Sequence, residues 1–276
     1  MSQELTTLVQ QAAAGTDEHL CGSELYRRLA SADGNKPPFP VARSLLRSLL
    51  VVQRPRIAEL PYPESVRSLV TKEFDRIERT VDQEPDTYFD IRLHRFRSDL
   101  RIASFGRIPV GPEHLEIDGL PRSLLVRGGV GQGIRFLRFW SRAGGVKPYY
   151  VLHLAHGIPP QAFLFVYSPQ AQRQMFLRVA ECLRLHPEIR GVLAGSWWHD
   201  PAVARVSPPL EYLSQGWVSR GAERFRYEVS EEVTRMATAN SPPRQQLVAA
   251  GQYHPVAYIA VWSRASLLAW ADGGAP

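Results

Sequence analysis

Lysine is scarce in this chain of 276 residues: only Lys36, Lys72 and Lys147 occur, leaving 30 of the 33 basic residues as arginine. A GC-rich coding sequence explains that bias more simply than phosphate binding does. The formal net charge of +6 invites an anionic partner. However, the one stretch where basic and aromatic residues interleave, Arg92 to Arg97, is flanked by Asp90 and Asp99. There Ile91, Phe96, Leu100 and Ala103 fall on one face of a helix, so the arginines read as its solvated face and no nucleic-acid partner is expected. Cysteine is scarcer still. Cys21 and Cys182 lie far apart, which excludes a C-x-x-C zinc ribbon or a disulfide framework. The apolar run Ser44 to Val52 is broken by Arg47, and nothing approaches the roughly 18 to 20 apolar residues that span a bilayer. The first twenty residues lack a basic segment followed by an apolar one, so no secretory signal and no membrane association are expected, and a cytoplasmic protein is.

The organisation changes near residue 108. Before it, proline-punctuated helices are predicted over Gln3–Ala14, from Ser23, over Pro40–Gln53, and over Pro63–Asp82, where Val66, Leu69, Val70, Phe74, Ile77 and Val81 recur at helical spacing. After Ile108-Pro109, strand candidates at His114–Ile117, Ser123–Val126, Tyr149–Leu154, Val192–Ala194, Arg224–Val229 and Ala257–Trp262 alternate with helices opening at Ser168-Pro169, Asp200-Pro201 and Ser241-Pro242. The expected fold is a helical N-terminal domain, residues 1–108, followed by an α/β (α+β) domain, residues 109–276, with a mixed sheet and flanking helices.

Chemistry concentrates between Gly191 and Leu213. A short buried strand runs into Ser196, Trp197, Trp198, His199 and Asp200, and Asp200-Pro201 has the composition of a helix opening with aspartate as its cap. Residues 196–199 therefore belong to a strand-to-helix turn, where open α/β sheets place ligands. The plain alternative is burial for the tryptophans and capping for Asp200. A second candidate is Arg127-Gly-Gly-Val-Gly-Gln-Gly133. Read as a loop, it could offer the backbone of Gly129, Gly131 and Gly133 to a pyrophosphate, although it lacks both the P-loop lysine and the dinucleotide-binding spacing.

A strand ending in His-Leu-Ala-His156-Gly-Ile-Pro, a helix, then Ser196-Trp-Trp-His-Asp200-Pro and a later Ser-Pro-x-Leu-x-Tyr212-Leu resemble the C-terminal domain of GNAT-like N-acyltransferase proteins that carry a helical domain ahead of it. The likeness covers roughly residues 110 to 270. It departs where Gly157 separates His156 from Ile158-Pro159, and where Gly128 stands in place of the Gln or Arg expected ahead of Gly131-Gln-Gly133. The resemblance implies a GNAT-like sheet, an acyl-CoA co-substrate and an amine acceptor on a small molecule or peptide. Amine attack on a thioester needs a base, for which His156 or His199 is suited, and a proton donor to the thiolate, Ser196 or Tyr212. Trp197 and Trp198 would wall the substrate pocket. Two readings from other classes stand beside it: a non-catalytic binding module of the same fold, and a mononuclear metal enzyme using His153, His156, His199 and Asp200.

Overall fold

Proline and apolar spacing set the first helices. In a computed structural model, which describes residues 6–10, 25–34, 37–155 and 166–273, residues 6–10 are helical, followed by α1 (Leu25–Asp33) and α2 (Pro40–Gln53). The latter has Pro40 at its first turn, where a missing N–H costs nothing. Helices α3 (Glu64–Gln83) and α4 (His94–Ala103) follow. α3 buries Val66, Val70, Phe74, Ile77 and Val81, a stripe that repeats every three to four residues. The basic stretch around α4 is solvated on one side, as its pattern predicts, and buries Phe96, Leu100 and Ala103 on the other.

Asp99 instead points inward. Its carboxylate accepts from Arg76 Nη2 at 2.5 Å, from Arg76 Nη1 at 3.2 Å and from the Tyr88 hydroxyl. A buried carboxylate held by three donors replaces the hydration it gave up on folding. This first unit also contains the antiparallel pair β1 (Ile108–Pro109) and β2 (Glu113–Asp118), and extends through Ile117, joined by Leu154 and Ala155.

The second unit comprises residues 118–153 and 166–273. In chain order it holds α5 (Leu124–Arg127), α6 (Gly129–Ala143), β3 (Tyr149–Leu154), α7 (Pro169–Leu185), β4 (Gly191–Ser196), α8 (Val203–Val206), α9 (Glu211–Val218), β5 (Glu223–Glu228), α10 (Glu231–Thr238), α11 (Pro242–Ala249), β6 (Ala257–Ser263) and α12 (Arg264–Ala271). Its strands lie in the order β3-β4-β6-β5. β3 and β4 are parallel, and β6 is antiparallel to both β4 and β5. One face buries Leu193, Phe225, Ile259 and Val261 with Phe136 and Phe139 of α6. Beneath the other, Phe176 of α7 meets Trp217, Trp262 and Trp270 edge-on at centroid distances of 4.8, 5.3 and 6.4 Å. Among the described residues, no helix is long and apolar enough to cross a membrane.

Two expectations are corrected here. Ser123–Val126 is not a strand and Arg127–Gly133 is not a loop; the segment forms α5 and the start of α6. The reason is tertiary. β5 is an edge strand, and its outward peptide groups are met by side chains of this segment. The Gln132 amide donates to Arg226 O at 2.9 Å and accepts from Arg226 N at 2.7 Å, Arg135 donates to Arg224 O at 2.7 Å, and Arg127 donates to Tyr227 O at 2.9 Å. Gln132 thus completes the ladder much as another strand would, which closes an edge otherwise open to foreign strands. The glycines allow the approach: a Cβ on Gly133 would stand 2.7 Å from the backbone oxygen of Leu125, whereas one on Gly131 would meet nothing within 4 Å. Helices α9, α10 and α12 were not anticipated. Ser230 and Ser263, which cap the last two, were the available signal.

The two glycines give substitutions of opposite sign. Gly131→Ala should stabilise the protein by up to about 1 kcal/mol through helix propensity. Gly133→Ala should destabilise it by about 1–3 kcal/mol, because a backbone oxygen cannot move aside as a side chain can. Urea unfolding of the two variants beside the parent measures both, and equal effects would contradict the packing described.

Candidate functional site

β4 is paired unequally along its two edges. Toward β6 all six residues are in register, from Gly191↔Ser263 to Ser196↔Tyr258. Toward β3 the paired residues are Tyr150↔Val192 and Val151↔Leu193, at the amino-terminal half of both strands. The end of that register falls toward the carboxyl ends of a parallel pair, the position where α/β sheets bind ligands.

The connection supplies the second feature. Because β3 and β4 are parallel and α7 joins them, α7 runs antiparallel to both and its amino terminus lies toward their carboxyl ends. That terminus is regular: the Ser168 hydroxyl accepts from Ala171 N at 3.3 Å, Pro169 occupies the first turn, and no acidic residue lies there. The remaining N–H groups and the helix dipole favour an anion.

Ser196 ends β4 and is half-buried. Its register partner is Tyr258, which pairs in turn with Arg226 of β5. Directly opposed residues share a sheet face, so Ser196, Tyr258 and Arg226 form a row across three strands. Burial pushes the Tyr258 phenol up, as does the charge of Asp200, while Arg226 and Arg224 pull it back. Tyr258 was not singled out in the sequence. Its place in the strand 257–262 was legible, but its alignment with Ser196 was not.

The 196–200 turn differs from its sequence reading. Trp197 to His199 form a single 3-10 turn, and α8 begins only at Val203 with Ala202 as its capping residue. Asp200 nonetheless caps the turn that opens it: its backbone is extended, its carbonyl accepts from Val203 N at 3.0 Å, and its side chain accepts from Ala202 N. Its Oδ1 accepts from Ala202 N at 2.9 Å and its Oδ2 from Val256 N at 3.3 Å, tying the turn to the start of β6. Burial raises its pKa, and the two N–H bonds, Arg224 and Arg226 offset part of that rise. A cavity of about 70 Å³ beside it is lined by Asp200, Ser214 and Arg224, among others, and has room for water rather than for an acyl chain.

Trp197 is buried among Val203, Val233, Ala237 and Ala257, with the Arg244 guanidinium 4.6 Å from its ring centroid. Trp198, half-buried, packs against it edge-on at 5.9 Å. His199 is 1% exposed, lies edge-on to Trp217 at 5.5 Å, and neither ring nitrogen has a hydrogen-bond partner among the described residues. Burial, with the charge of Arg224, lowers its pKa to about 3. It is a neutral histidine inside an aromatic cage. Tyr212, half-buried on α9, also has an unpartnered hydroxyl, and burial raises its pKa. His156 lies outside the described residues. Gly129, Gly131 and Gly133 stand in α6, built into the structure that seals β5, so the loop expected to carry a pyrophosphate does not exist in that form. No three His, Cys, Asp or Glu side chains gather among the described residues, so His153, His199 and Asp200 do not form a cluster that could hold a metal.

No protein-family model matches the chain, and no curated protein matches it in sequence. By structure it is similar to an acyltransferase crystallised with decanoyl-CoA, at 13% identity and a TM-score of 0.50. It is also similar to an acyltransferase crystallised with decanoyl-CoA and teicoplanin, at 13% identity and a TM-score of 0.53. Each alignment covers 94% of this chain and 76% of the other. The chain has an acyltransferase-like mixed α+β fold.

Two measurements probe the turn. His199 has a folded pKa below its unfolded value, so its stabilising contribution is complete above about pH 6.5 and is lost as pH falls toward about 3. Asp200, with a raised pKa, acts in the opposite sense. Denaturant unfolding at neutral and mildly acidic pH should show the parent losing stability at up to about 1.4 kcal/mol per pH unit more steeply than His199→Phe. Parallel pH dependences would show that His199 is not buried neutral. Separately, Asp200→Asn should cost about 1–3 kcal/mol, close to Asp200→Ala, because an amide offers one acceptor where two N–H groups need two. An asparagine variant as stable as the parent would show that the bond to Val256 adds nothing beyond the cap.

Proposed function

We propose that the second unit transfers an acyl group from a CoA thioester to an amine of a small molecule or peptide. The observation that carries this reading is the end of the β3–β4 register on the side where α7 presents its amino terminus. An extended donor arm bearing amides can lie along the carboxyl ends of the two strands, and its phosphates find a helix terminus without acidic residues. The fold similarity supports the same reading, since one of the similar acyltransferases binds decanoyl-CoA and the other binds decanoyl-CoA and teicoplanin.

The thioester supplies an activated carbonyl carbon; this chain's residues supply position and protons. The row of Ser196, Tyr258 and Arg226 lies at the carboxyl end of β4. Tyr258, whose phenol is held protonated by burial and by Asp200, is a proton donor at neutral pH. We assign Ser196 and Tyr258 to delivering a proton to the sulfur as its bond to the acyl carbon breaks. Tyr212, whose hydroxyl has no partner among the described residues, is the alternative donor. By its place two residues beyond β3, His156 is the histidine we assign to accepting the amine proton as nitrogen bonds to that carbon. His199 is unsuited, because both its nitrogens are enclosed and its pKa is too low to hold the proton. Trp197 is occupied by Arg244, which leaves Trp198 as the better candidate to border a substrate.

Gln170, exposed in the first turn of α7, gives a test in which stability and binding move oppositely. Gln170→Glu should raise stability by about 0.3–1 kcal/mol, because a carboxylate complements the dipole, yet weaken decanoyl-CoA binding several-fold by repelling its phosphates. Calorimetric titration beside a thermal melt reads both. Unchanged affinity in a stabilised variant would remove the α7 terminus from the donor site, and no binding by the parent would overturn the reading.

A further inference from the structure

Helices α5 and α6 present a surface that the acyl-transfer reading does not use. Val126, Val130, Ile134 and Leu137 are 77%, 82%, 47% and 48% exposed, although each is a large aliphatic residue. Val130, Ile134 and Leu137, spaced by four and three, share one face of α6 opposite the buried Phe136 and Phe139, and Val126 lies on α5 just ahead of the break at Gly128-Gly129. Basic residues flank this surface. Arg122, Arg127, Arg135, Arg138, Arg142 and Lys147 are exposed, and no acidic residue occurs from 119 to 147. Three acids stand at the rim: Glu223 pairs with Arg142 at 2.5 Å, Asp118 pairs with Lys147 at 3.6 Å, and Glu228 lines a groove with Arg127. Arg138 makes no hydrogen bond or ion pair with any described residue. Arg135, Arg138, Ser141, Arg142 and Glu223 line a groove of about 490 Å³.

We propose that this face seats on the surface of a bilayer containing anionic phospholipid. Charge complementarity selects the occupant. An aliphatic stripe with arginines along its side and no acid between matches an interface that is apolar in its depth and negatively charged at its surface. The groove beside Arg138 has the size and charge for a phospholipid headgroup, while the four aliphatic side chains enter the acyl boundary. A nucleic acid would satisfy the arginines but leave the aliphatic stripe in water, and the stripe has no aromatic ring on which bases stack. A second copy of this chain would bring arginine against arginine across a two-fold axis. The proposal concerns the outer surface of α5 and α6 and does not rest on the acyl-transfer reading.

Vesicle co-sedimentation of the full chain tests it, with neutral phosphatidylcholine vesicles compared against vesicles containing about 30% phosphatidylglycerol, at low and high salt. The parent should sediment with the anionic vesicles roughly tenfold more than with the neutral ones, and less so at high salt. Val130→Ser/Ile134→Ser/Leu137→Ser, all on exposed positions, should lose that binding with an unchanged melting temperature, and Arg138→Glu should weaken it on its own. Equal sedimentation with both vesicle types, no sedimentation with either, or full binding by the triple variant would overturn the proposal. So would a dimer in sedimentation velocity that the triple variant dissolves, which would make the face a self-interface.

Discussion

The hydrogen-bonding requirement of β4 governs the arrangement of the second unit. A central strand must satisfy peptide groups on both edges or expose them to something else that does. On the β6 side all six residues are paired, which fixes register and sets Ser196 opposite Tyr258. On the β3 side the register covers two pairs. The same strand is thus in register over its whole length on one edge and over two pairs on the other, and that register stops toward the end where the crossover helix begins. Because register has a period of two, a slip of one residue on β6 would turn Ser196 and Tyr258 to opposite faces. The fully paired ladder therefore decides where the site's hydroxyls point.

The outer edge at β5 shows the same requirement met by side chains. Gln132 offers a donor and an acceptor in the geometry of a peptide group, and Arg127 and Arg135 cover the carbonyls on either side. The glycines of this segment let two helices close on each other at Gly133. A composition that suggested a phosphate cradle is instead the means of shutting a sheet edge. Both uses of glycine rest on the close approach of a backbone, and sequence alone does not say to what.

Burial divides the polar residues of the 191–213 stretch into different tasks. Asp200 spends both carboxylate oxygens on backbone N–H groups and fastens the turn to β6. His199 sits neutral in an aromatic cage, while Ser196 remains half-buried at the strand end. In the first unit Asp99 plays a part like that of Asp200, joining Arg76 and Tyr88 inside the helical layer.

Local periodicity determined much of the fold from the sequence. The stripe of Val66, Val70, Phe74, Ile77 and Val81 specified α3, Ser168-Pro169 opened α7, and short apolar runs with aromatic and β-branched residues marked β3 and β6, because these patterns depend on neighbours within a turn or a strand. The strand-to-helix turn after β4 was legible as a turn, from the short buried strand before it and the Asp200-Pro201 opening after it. Tertiary structure decided the rest. Whether His199 was enclosed depended on Trp217, and the second bond of Asp200, from its cap position to Val256, depended on a segment more than fifty residues away. Tyr258 joined Ser196 only through register, and the glycines of α6 took their meaning from Leu125 and the edge of β5. Burial, register and pairing are properties of residues brought together from distant parts of the chain, and spacing along the sequence does not contain them.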